Sequence, residues 1–151
     1  MSAKTAMTKG EREAFLAEPR VGVISIAEGG RGPLSVPIWY AYEPGGELWL
    51  VTERSSRKGR LLERAGRVSL CVQSETPPYK YVSVEGPIVG IEASDLEKHE
   101  RPLARRYLGR KGGDAYIEAS GGLVDRADTV RVRIRPERWL SVDYSKEYVG
   151  L

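Results

Sequence analysis

The segment "ELWLVTERSSRKGRLLERAGRVSLCVQS", residues 47–74, contains a strand, a basic stretch, a short helix and a second strand. The start of a helix carries the positive end of the backbone dipole and four unpaired N–H groups, so acidic side chains are favoured there. This sequence has four cations at that place instead: Arg54, Arg57, Lys58 and Arg60. A bound anion would reverse the unfavourable electrostatics. The segment therefore predicts an anion site where the strand meets the helix.

Three kinds of donor converge in this segment. Thr52, Ser55 and Ser56 offer hydroxyl groups, and the first helical turn offers backbone N–H groups. Arg57 and Lys58 offer charge-assisted hydrogen bonds. This combination suits a phosphate group. The alternative is a solvated basic face on which the clustering of cations is accidental.

The rest of the chain is rich in strand patterns joined by glycine-containing turns. A capping box at Thr8 and Glu11 opens a short N-terminal helix over residues 8–18, and a second at Ser94 and Glu97 opens a later helix. The long strand over residues 80–93 is expected to be interrupted at Gly86–Pro87 by a bulge or bend. Further strands are predicted at 20–27, 34–43, 47–53, 67–74 and 129–135.

Helices do not alternate with strands, so the pattern excludes a parallel βαβ sheet. We expect a mainly β, α+β fold: a small closed barrel of about six antiparallel strands with short helices at its edges. No linker or repeat divides the chain, so residues 1–151 are predicted to form one domain with the barrel over about 20–143.

Composition restricts the class of partner. The net charge of +3 and the pI near 9.0 fit an anionic ligand, but nucleic-acid binding would need a clustered basic patch. The arginines over residues 131–135 alternate along a strand, which is typical of a solvated sheet face, so no nucleic-acid partner is predicted. Neither a signal peptide nor an apolar run of about 18 residues occurs, so a cytoplasmic protein without a membrane partner is expected. The one cysteine, Cys71, excludes an intramolecular disulfide and is expected to be buried in a strand.

The usual catalytic sets are missing. His99, the single histidine, lies among charged residues and is expected to be a solvated surface side chain, so no Ser-His-Asp triad is available. No His/Cys cluster predicts a metal site, and no catalytic residue is assigned. A bound organic cofactor would supply the missing chemistry. Five aromatic residues offer walls for a flat ring, although ordinary core and interface packing is the alternative: Trp39, Tyr40, Trp49, Tyr79 and Tyr81.

The order of these parts resembles a known family. The segments "SVPIWYAYE", "LWLVTERSSRKGRLLER", "RVSLCVQ", "YVSVEGPIVGIE" and "RPERWLSVD" resemble the pyridoxamine 5'-phosphate oxidase-like split β-barrel superfamily. They resemble most its branch of oxidoreductases that use the deazaflavin coenzyme F420. The chain ends soon after "RWLSVDYSKEYVGL", without the longer C-terminal segment of true pyridoxamine phosphate oxidases, so that activity itself is not expected.

The resemblance implies a homodimer of FMN/F420-type split barrels with two cofactor sites between the subunits. The resemblance places the cofactor phosphate at the segment matching Thr52 and residues 55–58. It places the cofactor ring along the strand over residues 36–39. Residues of the partner subunit, near Tyr79 and Lys80, would close the site. The implied cofactor-binding residues are Val36, Pro37, Ile38, Trp39, Thr52, Ser55, Ser56, Arg57, Lys58, Tyr79 and Lys80.

The implied activity is hydride transfer from reduced coenzyme F420 to a small conjugated acceptor such as a quinone, an enone or a tetrapyrrole. FMN is the alternative cofactor, because both cofactors would place a phosphate at the same site. Arg54, Arg60 and Arg64 would then face the acidic tail of F420 or remain solvated. A carrier that holds the cofactor without turnover is a further alternative, motivated by the missing acid and base.

Overall fold

The computed structural model describes residues 3–120 and 125–147. Eight strands form its framework: β1 (Gly22–Ile26), β2 (Leu34–Ile38), β3 (Ala41–Tyr42), β4 (Leu48–Glu53), β5 (Arg67–Gln73), β6 (Lys80–Ala93), β7 (Thr129–Ile134) and β8 (Arg138–Asp143). Three α-helices accompany them: α1 (Lys9–Ala17), α2 (Arg57–Arg64) and α3 (Arg101–Ser120).

The strands form two antiparallel sheets that share β6. One sheet has the order β2-β1-β5-β6-β8, and the other has the order β6-β7-β4-β3. The first part of β6 pairs with β5 and β8, whereas its last part pairs with β7. The result is a curled, split barrel with an α+β composition, as the resemblance implied, and not the closed barrel that the strand pattern predicted, because β2 and β3 remain at free edges of the described sheets. Alternate aliphatic side chains of both sheets, such as Ile24, Leu50, Val84 and Val132, fill the core between them.

Strand β6 passes from one sheet to the other without a break, so the predicted interruption at Gly86–Pro87 is wrong. Gly86 is needed for a different reason: a Cβ atom there would lie 1.7 Å from the carbonyl oxygen of Arg135. Only a residue without a side chain lets the two backbones approach so closely. The register shift lies further along, between Ile88 and Gly90.

The predicted N-terminal helix is confirmed, including its capping box. The Thr8 hydroxyl accepts from the N–H of Glu11, and the Glu11 carboxylate accepts from the N–H of Thr8. Phe15 and Leu16 bury the inner face of α1 against the core. The helix ends at Ala17, before Pro19, as the sequence predicted.

Three predictions need correction. The strands number eight in the described residues rather than six, because the predicted strand 34–43 is divided into β2 and β3 and because Arg138–Asp143 pairs with β6. The capping box at Ser94 and Glu97 is wrong: Asp95 caps that helix by accepting from the N–H groups of Glu97 and Lys98. Cys71 lies in β5 but points outward and is exposed.

Helix α3 folds back on itself at Gly109, whose φ of 76° is left-handed. Asp114 accepts from Arg101, 13 residues earlier, at 3.0 Å, and from Arg105 at 2.8 Å. In a straight helix, 13 residues would span about 20 Å, so these bonds require a hairpin. A turn of π-helix, Leu96–Glu100, precedes α3. None of the helices in the described part of the chain has the length and hydrophobicity needed to cross a lipid bilayer.

Candidate functional site

A pocket of about 780 Å³ lies between strand β2, the start of α2 and the helical hairpin α3. This volume falls in the range of about 300–1,000 Å³ that small-molecule sites occupy. Most of the lining is apolar, and the charged lining residues among those described are Glu53, Arg57, Lys58 and Glu100. The pocket can therefore take a ligand that is mostly apolar and carries an anionic group at one end.

Strand β2 supplies one wall and lies at the edge of its sheet. It pairs with β1 on one side, and no other described strand pairs with it. Edge strands expose unpaired backbone N–H and C=O groups. Val36, Pro37 and Ile38 of this strand line the pocket, so free backbone groups are available beside it for the polar edge of a ligand.

The start of α2 brings Arg57 and Lys58 to one end of the pocket, the candidate anion end. Ser56 is its N-cap: the hydroxyl accepts from the N–H of Gly59 at 3.0 Å and donates to the carbonyl of Glu53 at 2.7 Å. The hydroxyl groups of Thr52 and Ser56 lie 3.5 Å apart. A Cβ atom on Gly59 would lie 2.1 Å from the carbonyl oxygen of Glu53, so this turn requires glycine. Thr52 and Ser56 both line the pocket.

The cations of this segment have different surroundings. Arg54 pairs with Glu63, and Arg57 pairs with Glu28. Lys58 is half-buried and lines the pocket, and it has no ion pair or hydrogen bond with any residue that the structure describes. Burial lowers the pKa of Lys58, partly offset by the nearby charge of Glu53. Lys58 is therefore a poorly solvated cation that a bound anion would stabilise.

Ser55 has a structural partner outside the pocket. Its N–H donates to the Asp128 carboxylate at 3.0 Å, and its hydroxyl donates to the other oxygen of the same carboxylate. Tyr79 and Lys80 lie at the start of β6, away from the pocket of their own chain; Lys80 pairs with Asp143 at 3.8 Å. Binding by these three residues stays a prediction. The other predicted residues line one pocket: Val36, Pro37, Ile38, Trp39, Thr52, Ser56, Arg57 and Lys58.

An aromatic cluster forms the far wall. Trp39 stacks on Tyr107, with ring centroids 5.0 Å apart and planes within 7°, and tilts against Tyr116 at 5.3 Å. The Tyr107 hydroxyl donates to the carbonyl of Arg20 at 2.7 Å and accepts from the N–H of Tyr40 at 3.1 Å. These bonds fix Trp39 between strand and helix. Tyr116 keeps 47% of its surface exposed and presents an aromatic face to the pocket.

Sequence reasoning missed the contribution of the helical hairpin. Its pocket-lining residues were not among the predicted set: Leu103, Ala104, Tyr116, Ile117 and Ser120. Gly113 carried the signal, because a Cβ atom there would lie 2.6 Å from the backbone of Arg105. A glycine in a helical segment is a sign of close backbone packing, and here it brings the second half of α3 over the pocket.

His99 is not the solvated side chain that the sequence suggested. It is half-buried, its ring lies 5.7 Å from that of Trp49, and its Nδ1 accepts from the N–H of Asp95 at 2.9 Å. Burial and the charge of Arg131 lower its pKa. His99 is therefore a neutral structural residue of the π-helical turn. The described residues contain no cluster of side chains suited to a metal ion.

Comparison with known families agrees with this architecture. The family model described as pyridoxamine 5'-phosphate oxidase matches residues 8–143, most of the chain. The chain belongs to this family. No curated protein sequence shows significant similarity to it.

Several solved structures are similar to this pyridoxamine 5'-phosphate oxidase family member. A conserved hypothetical protein from Mycobacterium tuberculosis is 29% identical, with 100% of this chain and 92% of that chain covered and a TM-score of 0.75. An F420 reductase is 23% identical, with 85% and 94% covered and a TM-score of 0.69. A FAD-binding protein from Mesorhizobium loti is 25% identical, with 89% and 93% covered and a TM-score of 0.59.

Proposed function

We propose that this protein is an oxidoreductase that binds coenzyme F420 in the pocket beside α2. The observation that carries the proposal is the anion end of the pocket, where Lys58 is a half-buried cation without a carboxylate partner among the described residues. The family membership and the fold shared with an F420 reductase and a FAD-binding protein support a flavin-type ligand.

The lining fits such a ligand. Lys58 and the Thr52 hydroxyl would hold the phosphate, and Ser56 would join them if its hydroxyl turned away from the Glu53 carbonyl. The free edge of β2 would meet the polar edge of the ring with its outward-facing backbone groups. The apolar side chains of the remaining lining would exclude water from the ring.

When bound, reduced F420 supplies a hydride for a small conjugated acceptor. The protein's contribution is to orient the ring and to keep the pocket dry. The described lining contains neither histidine nor cysteine. Glu100 accepts from Arg126 and Ser94, and Glu53 lies beside Lys58. No lining carboxylate is therefore free in the apolar part of the pocket to act as a general acid.

This absence favours a second candidate function, a carrier that holds the cofactor without turnover. The two functions differ in one measurement. Reduced cofactor bound to the protein is mixed with quinones, enones and tetrapyrroles, and its oxidation is compared with that of the free cofactor. Acceleration with any acceptor supports the oxidoreductase, and no acceleration with all of them supports the carrier.

We further propose that the protein is a homodimer with the pocket at the subunit interface. A row of outward-facing residues crosses the sheet from Pro37 through Val23, Cys71 and Ser83 to Leu140. The row carries no charge, and Val23 and Leu140 keep 41% and 48% of their surface exposed. Pro37 also lines the pocket. A second copy packed on this row would therefore reach the pocket's rim, where the partner's Tyr79 and Lys80 are predicted to contact the cofactor.

A binding titration of the purified protein with F420 and with FMN tests the proposed cofactor. We expect F420 to bind with a micromolar or lower dissociation constant and FMN to bind more weakly. Tight binding of FMN alone would replace F420 by FMN as the cofactor. Binding of neither would reject the proposed function.

A further inference from the structure

A carboxylate outside the pocket holds one of the two cations at its anion end. Glu28 lies in the glycine-rich connection between β1 and β2. Its two oxygens accept from the Arg57 guanidinium, one from Nη2 and the other from Nε at 3.3 Å. Arg31 lies on the same carboxylate, with its Nε 3.9 Å from an oxygen. The Glu28 side chain is only 18% exposed, so it is held firmly between two guanidinium groups.

This ion pair sets the charge that the pocket offers to a ligand. Two donor groups of Arg57 are engaged by Glu28, so the positive charge of Arg57 is already matched. Lys58 is then the one lining cation, among the described residues, that forms no ion pair, and the charge of the lining carboxylate Glu53 acts on it only at longer range. One cation that is free to form an ion pair suits a group with one negative charge.

The two candidate cofactors differ in this charge. The phosphate of F420 is a diester, linked on both sides, and carries one negative charge. The phosphate of FMN is a terminal monoester and carries a charge of about −1.5 to −2 at pH 7. While Arg57 is paired with Glu28 through Nε and Nη2, its remaining N–H groups can reach the pocket but its charge is shared with the carboxylate, so the second charge of the monoester is matched only weakly. If Arg57 left Glu28 to match that charge in full, the carboxylate would remain without its main partner close to the anion.

We propose that Glu28 is a specificity-determining residue: by holding Arg57, it favours a cofactor attached through a phosphodiester over one that ends in a phosphomonoester. The inference rests on the proposed function, in which the phosphate of a flavin-type cofactor lies beside Lys58. It adds a residue outside the pocket that selects the cofactor.

Glu28→Gln is the decisive variant, because glutamine keeps the shape of the side chain and removes its charge. Arg57 is then free to bind the phosphate. We expect the affinity for FMN to rise about tenfold, the gain of a charge-assisted hydrogen bond. The affinity for F420 should rise far less, and that for riboflavin, which lacks the phosphate, should not change. In the double variant E28Q/R57Q the gain for FMN should be lost.

Glu63→Gln is the matched control. It removes the same charge from another arginine–carboxylate pair, between Glu63 of α2 and Arg54 before the helix, and Arg54 does not line the pocket. Dissociation constants for the three ligands are measured for each variant, with thermal melting as a check on folding. The inference would be overturned if Glu28→Gln left the ratio of FMN affinity to F420 affinity unchanged. It would also be overturned if Glu63→Gln raised the affinity for FMN as much as Glu28→Gln does. Failure of the wild-type protein to bind either cofactor would reject the proposed function as well.

Discussion

Replacing Lys58 by methionine tests the anion end of the pocket most directly. Methionine retains an apolar stem of similar length and removes the charge. If Lys58 binds the cofactor phosphate, the variant loses one charge-assisted hydrogen bond, about 1.5–3 kcal/mol, which weakens binding roughly tenfold to a hundredfold. Lys58→Glu should weaken binding further, because it sets a carboxylate against the phosphate.

The empty protein should respond in the opposite direction. Lys58 is a half-buried cation in the first turn of α2, where the helix dipole disfavours positive charge. Its removal should stabilise the fold by about 0.3–1 kcal/mol, a rise in Tm of about 1–4 °C. Burial lowers the pKa of Lys58 in the folded protein below its value in the unfolded chain. The charged side chain therefore destabilises the fold at neutral pH. This destabilisation disappears as the pH rises from the folded pKa to the unfolded pKa. The stabilisation by Lys58→Met should therefore shrink at alkaline pH.

Isothermal titration with the cofactor and thermal melting without it measure both effects. Arg60→Met is the matched control: it removes a cation from the same helix, at an exposed position outside the pocket lining, and should weaken cofactor binding far less than Lys58→Met does. Equal dissociation constants for wild type and Lys58→Met, measured at moderate salt, would refute the reasoning. The alternative, a solvated basic face, would then describe this segment.

Three further predictions concern the interface, the π-helical turn and the barrel. Leu140→Arg should convert the dimer to a monomer in analytical ultracentrifugation and speed the reaction of Cys71 with a maleimide; a monomeric wild type would contradict the interface. His99 has a lowered pKa, so its stabilising contribution is present above the unfolded pKa of about 6.5 and is lost as the pH falls through the folded value. The drop in Tm from about pH 7.5 to pH 5 should therefore be smaller in His99→Gln, and an equal drop would count against this role. Gly86→Ala should destabilise the fold by about 1–3 kcal/mol through overlap with a backbone carbonyl, whereas Gly10→Ala, with open space around its Cβ, should not lower Tm.

The parts of the fold that depend on local pattern were predictable from the sequence. Thr8 and Glu11 identified the start of α1, and the strand–basic–helix order of residues 47–74 identified a segment that lines one end of the pocket. Eight of the predicted cofactor-binding residues line one pocket. Thr52 and residues 56–58 belong to one strand–helix segment that the local pattern identified, whereas residues 36–39 were placed beside it by the resemblance to the family.

The parts that depend on long-range packing were not predictable. The position of Tyr116 follows from the chain reversal at Gly109 and from the hydrogen bonds of Asp114 across the hairpin. Neither feature produces a periodic pattern of hydrophobic residues in the sequence. Cys71 has the apolar neighbours of a buried strand residue, but its outward orientation is set by the register of β5 against β1 and β6. A shift of one residue in register reverses which face a side chain occupies.

The hairpin of β6 and β7 has a consequence for how the pocket can diversify during evolution. The two strands are already joined at Ala93 and Val130, and the N–H of Ser94 bonds to the carbonyl of Thr129. The residues between Ser94 and Thr129, including α3, are therefore an insertion in the loop of a hairpin whose strands are already paired. Changes in its length alter little in the sheet, because a longer loop between fixed ends adds only a small entropic cost. One wall of the pocket can thus be exchanged for another while the anion end and the β2 edge are inherited unchanged.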